Sequence, residues 1–162
     1  QALTNDELEP LDVNDFLTLY CQHQHQMAGQ DVVIEYVGTK KAAVVMAVDY
    51  RLEQALDKLL DNAKDFHRQD TPIIVRLTAD KFDWFIDVEN QGEPINLDDA
   101  DQLFQSMVTS RTQASAGGVG HFGLGLYVVQ TIAQFHKGAA QVANLPDGLG
   151  VRFSIRLPAS LI

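Results

Sequence analysis

Three polar residues, Lys58, Asn62 and Asp65, follow one another at steps of four and three, the spacing that aligns side chains along one face of a helix. Asn62 stands out among them, because asparagine is a mediocre helix former and its amide oxygen is a hard ligand of the kind magnesium accepts. Taken alone, the stripe also reads as a solvated helix flank. A second group is the run Gly117, Gly118, Gly120, Gly123 and Gly125, which ends where a helical pattern begins. Glycines let backbone amides approach a phosphate closely, and the first turn of a helix adds unpaired N–H donors and the positive end of its dipole. Glycine-rich loops without ligands are also common, so the run gains weight only in combination with the stripe. A polyanion could sit at the glycine run, and a hard cation at Asn62.

The elements that must position these groups follow from hydrophobic spacing. Between Tyr50 and His67, residues Leu52, Ala55, Leu56, Leu59, Leu60, Ala63 and Phe66 share one face, which predicts a long amphipathic helix with the polar stripe at its border. From Gly123 onward, apolar residues from Leu124 to Phe135 cover most of a helical circumference and predict a helix packed on both sides, ended by Gly138. An earlier helix through Phe16, Leu19, Tyr20, His23 and Met27 starts from Asp12 or Asn14 and stops at Gly29. Strands are predicted over 32–37, 42–48, 73–79, 84–89, 139–143 and 151–157. The third and fourth form a hairpin around Asp80 to Asp83 and lead into a turn from Gln91 to Pro94. A short helix is expected around Asp98 to Phe104, followed by a mobile loop rich in Ser, Thr, Ala and Gly from Ser106 to Gly120.

Length and composition suit one core: 162 residues, 46% hydrophobic. Residues 1–10 read as a linker stub, 11–158 as the domain and 159–162 as a tail, in a chain expected to be a piece of something longer because it opens with Gln. The longest apolar run, Ala42 to Val48, is far short of the roughly 20 residues that span a bilayer, so no direct membrane contact is expected. A formal charge of −10 repels nucleic acid and requires that any phosphate be captured by a local device. The single cysteine, Cys21, reads as a packing residue. None of the five histidines is followed by an acid; His23 and His25 would point apart in a helix, and His67 and His136 read as capping or surface residues.

The order and spacing of these features resemble the GHKL ATPase superfamily and, within it, the catalytic domain of sensor histidine kinases, over about Leu11 to Pro158. Arg51 to Leu56, leading into Leu59-Leu60-Asp61-Asn62-Ala63, is similar to the N box, and Val88-Glu89-Asn90-Gln91-Gly92-Glu93-Pro94-Ile95 to the first glycine box. Leu103-Phe104 resembles the F box, and Gly123-Leu124-Gly125-Leu126-Tyr127-Val128-Val129 the second glycine box. The resemblance implies an α/β (α+β) two-layer sandwich. A mixed sheet of about five strands would carry about three helices on one face, with an ATP lid, Ser106 to Phe122, between the F box and the second glycine box.

It further implies ATP and Mg2+ as cofactors, with Asn62 as metal ligand and Asn62 and Lys58 as catalytic residues. ATP would be bound by Asn62, Lys64, Asp65, Phe66, Asn90, Gly92, Ile95, Phe104, Ser110, Arg111, Gly120, Phe122, Gly123, Leu124, Gly125 and Leu126. Arg111 and Lys64 are placed near the phosphates by their charge rather than by a motif. The implied reaction is transfer of the γ-phosphoryl group to a histidine on a separate dimerisation and phosphoacceptor hairpin, upstream, and then to a response regulator receiver domain. The chain itself would be monomeric, the full-length protein a homodimer, and this part the cytoplasmic domain of a membrane-anchored bacterial sensor.

Departures from the family pattern bear on activity. Asn90 stands where the first glycine box usually has aspartate, and loss of a charge-assisted bond to the adenine amino group is expected to weaken binding by about 1 to 2 kcal/mol. Pro94 stiffens that turn, His121 replaces the leading glycine of the second box, and Val151 replaces a common threonine. Lys58 stands where the N box has asparagine, or an acid in related hydrolases; a protonated ammonium neutralises phosphate charge but cannot act as a base. The alternative reading is a catalytically degenerate nucleotide-sensing module of the same fold, and a third is a stand-alone ATPase.

Overall fold

In the computed structural model, residues 6–29, 31–96, 104 and 123–160 are described, without the side chains of 123 and 124. The first helix, α1 (Val13–Ala28), starts where Asp12 turns its carboxylate back to accept from the N–H groups of Asn14 and Asp15. It ends at Gly29, whose φ of 74° is a left-handed conformation that glycine adopts without strain. The second, α2 (Asp49–Phe66), buries the expected face through Leu52, Ala55, Leu56, Leu59, Leu60 and Ala63. Each fully buried leucine contributes about 2 kcal/mol through removal of apolar surface from water. His67 caps its far end, donating its N–H to Ala63 O and its ring Nδ1–H to Lys64 O. The third helix, α3, is Gly123–Phe135.

Seven strands complete the fold: β1 (Glu9–Asp12), β2 (Ile34–Val37), β3 (Val44–Ala47), β4 (Ile73–Ala79), β5 (Asp83–Gln91), β6 (Ala139–Asn144) and β7 (Gly150–Pro158). Five of them form a mixed sheet in the order β2-β4-β5-β7-β6, with β2 parallel to β4 and the other pairs antiparallel. The parallel pair needs a crossover, and α2 lies in it. Alternate residues of the central strands, such as Val75, Ile86, Val88, Phe153 and Ile155, are buried in one core with the apolar faces of the helices. The other face of the sheet carries charge: Glu89 accepts from both Arg76 and Arg152, and Ser154 donates to Asp87. Burial pushes the Asp87 carboxyl above its ordinary range, against the lowering effect of the Ser154 hydroxyl.

Two details differ from the sequence-based expectations, the start of the chain and the packing of α3. The last residues of the expected linker, Glu9 and Pro10, belong to β1, which pairs antiparallel with β3, so the strand at 42–48 joins a separate two-stranded ribbon. Asp6 also reaches the Arg51 guanidinium at 2.9 Å. Helix α3 is one-sided: Leu126, Val129, Ile132 and Ala133 are buried, whereas Tyr127 and Phe135 are 41% and 45% exposed. Of the two roles expected for His136, capping or surface, the structure shows the first: it is 2% exposed and its ring donates to Ile132 O in the last turn of α3. The expected helix at 98–104 and the lid at 106–122 lie outside the described residues except for Phe104, which is buried in the core. Among the described residues no helix is long and apolar enough to cross a membrane.

Candidate nucleotide-binding site

The polar stripe of α2 meets the first turn of α3. Lys58 is half-buried, Asn62 is 5% exposed and Asp65 is exposed, so the stripe runs from the helix-helix contact out to solvent. A Cβ placed on Gly125 would lie 3.5 Å from Lys58 Cβ and 4.0 Å from Asn62 Nδ2, which brings the two groups singled out in the sequence to one place. These distances are ordinary van der Waals contact, so the protein itself does not demand glycine at 125.

Asn62 Nδ2 is buried and has no hydrogen-bond partner among the described residues. A buried donor left unsatisfied costs about 1–3 kcal/mol, so the amide is placed for something other than stability. The two ends of an asparagine amide exchange by a half-turn of the side chain. One orientation offers N–H to a phosphate oxygen, the other offers Oδ1 to a hard cation. Among the described residues no group of three His, Cys, Asp or Glu side chains could hold a metal, so a magnesium ion here would rely on Asn62 and on the phosphates it accompanies. The residues present fit that mode of binding.

A second cluster lies at the end of β5. Asn90 is 3% exposed and donates its Nδ2–H to Gln91 O, which leaves Oδ1 as the acceptor. Gly92, with φ of 156°, packs so closely on the end of α2 that a Cβ would stand 2.5 Å from Phe66 O. The turn is pinned on three sides: Gly92 N–H donates to Leu149 O at 2.7 Å, Arg68 N–H to Gln91 O at 2.6 Å, and Ile95 exchanges two bonds with the Asn144 side chain. Phe66 and Ile95 are partly buried against the core.

Of the remaining expected site residues, Lys64 is half-buried on the last turn of α2 and carries no ion pair among the described residues. Leu126 is fully buried, so it has only its backbone to offer a ligand. Gly123 opens α3. Ser110, Arg111, Gly120 and Phe122, and the side chain of Leu124, lie outside the description.

Two residues of this region were not marked by the sequence, and a third, His136 at the far end of the helix pair, was expected only as a capping or surface residue. Asn144 carries no motif of its own, and only its place at the end of a strand before Pro146 hints at a capping role. A Cβ at Gly150 would overlap the Asn90 carbonyl oxygen, so glycine is what lets β7 run beside Asn90. His136 accepts from Val48 N–H through Nε2 at 3.1 Å, so its proton resides on Nδ1, which donates to Ile132 O at 2.8 Å. That ring ties the start of α2 to the end of α3. Burial lowers its pKa from the ordinary value of 6.5.

Comparison with known proteins agrees with this geometry. Residues 47–161 match the family model described as "Histidine kinase-, DNA gyrase B-, and HSP90-like ATPase". The chain is 32% identical over 170 residues to the sensor protein ChvG of Agrobacterium fabrum, a match that covers 98% of this chain and 28% of that protein. The chain thus spans less than a third of that relative's length. Among solved structures, the mycobacterial sensor histidine kinase MprB superposes with a TM-score of 0.73 at 23% identity, covering 96% of this chain and 99% of that one. The ATP-binding domain of PrrB from Mycobacterium tuberculosis gives 0.73 at 21% identity, with 96% and 99% covered. At such identities the two structures speak for the fold, a mixed five-stranded sheet with helices, and the family match speaks for descent. Converging helices, an orphaned amide between them and a matched model over most of the sequence lead to one assignment: the chain belongs to the family of histidine kinase-, DNA gyrase B- and HSP90-like ATPases.

Proposed function

We propose that this chain is the ATP-binding catalytic domain of a sensor histidine kinase, which binds Mg-ATP and presents the γ-phosphoryl group to a histidine on a separate helical hairpin. The observation that carries the reading is the unpartnered Asn62 amide facing Gly125 at the start of α3. Asn62 holds the phosphate-metal end, and the N–H groups of the first turn of α3 receive phosphate oxygens. Lys58, beside both, adds a positive charge in a chain whose net charge of −10 otherwise repels the ligand. At the other end, Asn90 Oδ1 accepts from the adenine amino group and the turn at Gly92 closes over the base.

Magnesium, when bound, supplies neutralisation of the charge on the phosphate oxygens. The chain's own residues position and screen; in-line transfer to an imidazole asks no proton of the enzyme, so an ammonium at 58 is no obstacle to it. Activated water does need a base, and Lys58 in its charged form supplies none, which favours transfer over hydrolysis. The hairpin, a membrane anchor, a homodimer contact and a receiver domain as next acceptor belong to this proposal; ChvG, a sensor protein more than three times as long as its match to this chain, supports them.

Calorimetric titration of the chain with ATP, with and without magnesium, tests the binding step. Magnesium-dependent binding in the micromolar to millimolar range is expected, and absence of binding at millimolar ATP overturns it. Joined to a hairpin bearing a phosphoacceptor histidine, the chain should give acid-labile label from γ-labelled ATP. Release of inorganic phosphate without labelled protein would favour the hydrolase instead.

A further inference from the structure

The segment that follows Gly92 must stay over the candidate base site, yet it belongs to no strand or helix of the sheet. Its backbone is held by a side chain distant in sequence. Ile95 N–H donates to Asn144 Oδ1 at 2.9 Å, and Asn144 Nδ2–H donates to Ile95 O at 3.0 Å. The Asn144 amide thus reproduces the two-bond exchange of an antiparallel strand pair, using one side chain in place of a strand.

Register fixes where this happens. Asn144 of β6 stands opposite Val151 of β7, and Val151 stands opposite Asn90 of β5. Residues directly opposite across neighbouring strands project from the same face of a sheet, so Asn90, Val151 and Asn144 form one row on the core side. Asn90 begins the turn, Asn144 receives its far end, and buried Val151 forms the floor between them. The turn spans the row like a strap fixed at both ends.

We propose that Asn144 is a positioning residue for nucleotide binding: its amide clamps the Ile95 backbone and so holds the Gly92–Ile95 turn at the adenine end of the site. This rests on the reading of the site as one for ATP. The side-chain bonds of Asn144 go to the Ile95 backbone, so its effect is expected at the base end. The clamp demands a donor and an acceptor on one planar group. Aspartate keeps the acceptor for Ile95 N–H but turns a negative oxygen toward Ile95 O, and alanine removes both bonds.

Amide hydrogen exchange at Ile95, followed by NMR, and titrations with ATP and with inorganic tripolyphosphate, applied to the 162-residue chain and to Asn144→Ala and Asn144→Asp, test the proposal. Alanine is expected to speed exchange at Ile95 at least about tenfold while exchange in β4 and β5 is unchanged, and to weaken ATP about tenfold with little effect on tripolyphosphate. Aspartate, nearly isosteric, is expected to retain protection at Ile95 and still weaken ATP; it serves if alanine does not fold. Unchanged ATP affinity in both variants, or equal weakening of ATP and tripolyphosphate, overturns the proposal and leaves the ATP reading standing. A parent chain that binds no ATP, with Ile95 protected, overturns both.

Discussion

Asn62 is buried, polar and without a partner among the described residues, a combination that natural cores rarely retain unless a ligand completes it. Replacement by leucine should therefore separate stability from binding. Asn62→Leu is expected to leave thermal stability unchanged or raise it by up to about 2 kcal/mol, because an orphaned donor is removed, and to abolish magnesium-dependent ATP binding. A large loss of stability in a denaturant titration would mean that the amide has a structural partner. Gly125 gives a complementary test. A methyl group there meets Lys58 and Asn62 at ordinary contact distance and improves helix propensity by up to about 1 kcal/mol. Gly125→Ala should keep the fold and weaken ATP about tenfold by occupying space close to Asn62; unchanged affinity by calorimetry would remove the phosphates from that turn.

Asn62 could be found in the sequence because a mediocre helix former interrupted a strong helical pattern, and the glycines because their spacing is unusual. Asn144 and Gly150 could not, and His136 only as a cap, since their roles depend on which strand or helix lies opposite, a property of tertiary contact and not of local pattern.

Elements were legible where one face is apolar and the end is marked. α2 has both, with a stripe of leucines and alanines and a histidine cap. α1 has a marked start, in which Asp12 accepts at 2.9 Å and 3.3 Å from the first free amides. Asp12→Ala should cost about 1 kcal/mol, read as a shift in the denaturation midpoint with the slope unchanged. No shift would mean that water replaces the carboxylate without loss. α3 misled because its apolar residues wrap the whole cylinder, whereas the sheet and α2 cover only one side; Tyr127 and Phe135 are the residues left outside. The strand at 42–48 was legible as a strand but not as a member of the ribbon, because its partner β1 is two acids, a proline and a leucine with no alternation to read.

At the scale of the molecule, His136 joins the start of α2 to the end of α3. Its neutral ring spends one nitrogen on Val48 and the other on Ile132. Its pKa in the fold lies below the ordinary 6.5, chiefly because burial disfavours the cation. The unfolded chain therefore binds the proton first as pH falls. The stabilisation is complete well above pH 6.5, declines as pH drops below it, and is lost through the folded-state pKa. Denaturation midpoints measured from pH 8 to 5 should fall, and His136→Gln should flatten the part of that slope due to this residue; an identical slope in the variant would assign it to other groups. The same residue has a mechanical consequence. Val48 and His136 meet at one end of the helix pair and Asn62 and Gly125 at the other, so α2 and α3 run antiparallel from a common fulcrum. Asn62 lies fourteen positions after Val48, a lever of about 21 Å. At that lever length a tilt of about 5° at the imidazole corresponds to about 2 Å at Asn62, so the ring that joins the two helices at one end also bears on the gap between Asn62 and Gly125 at the other.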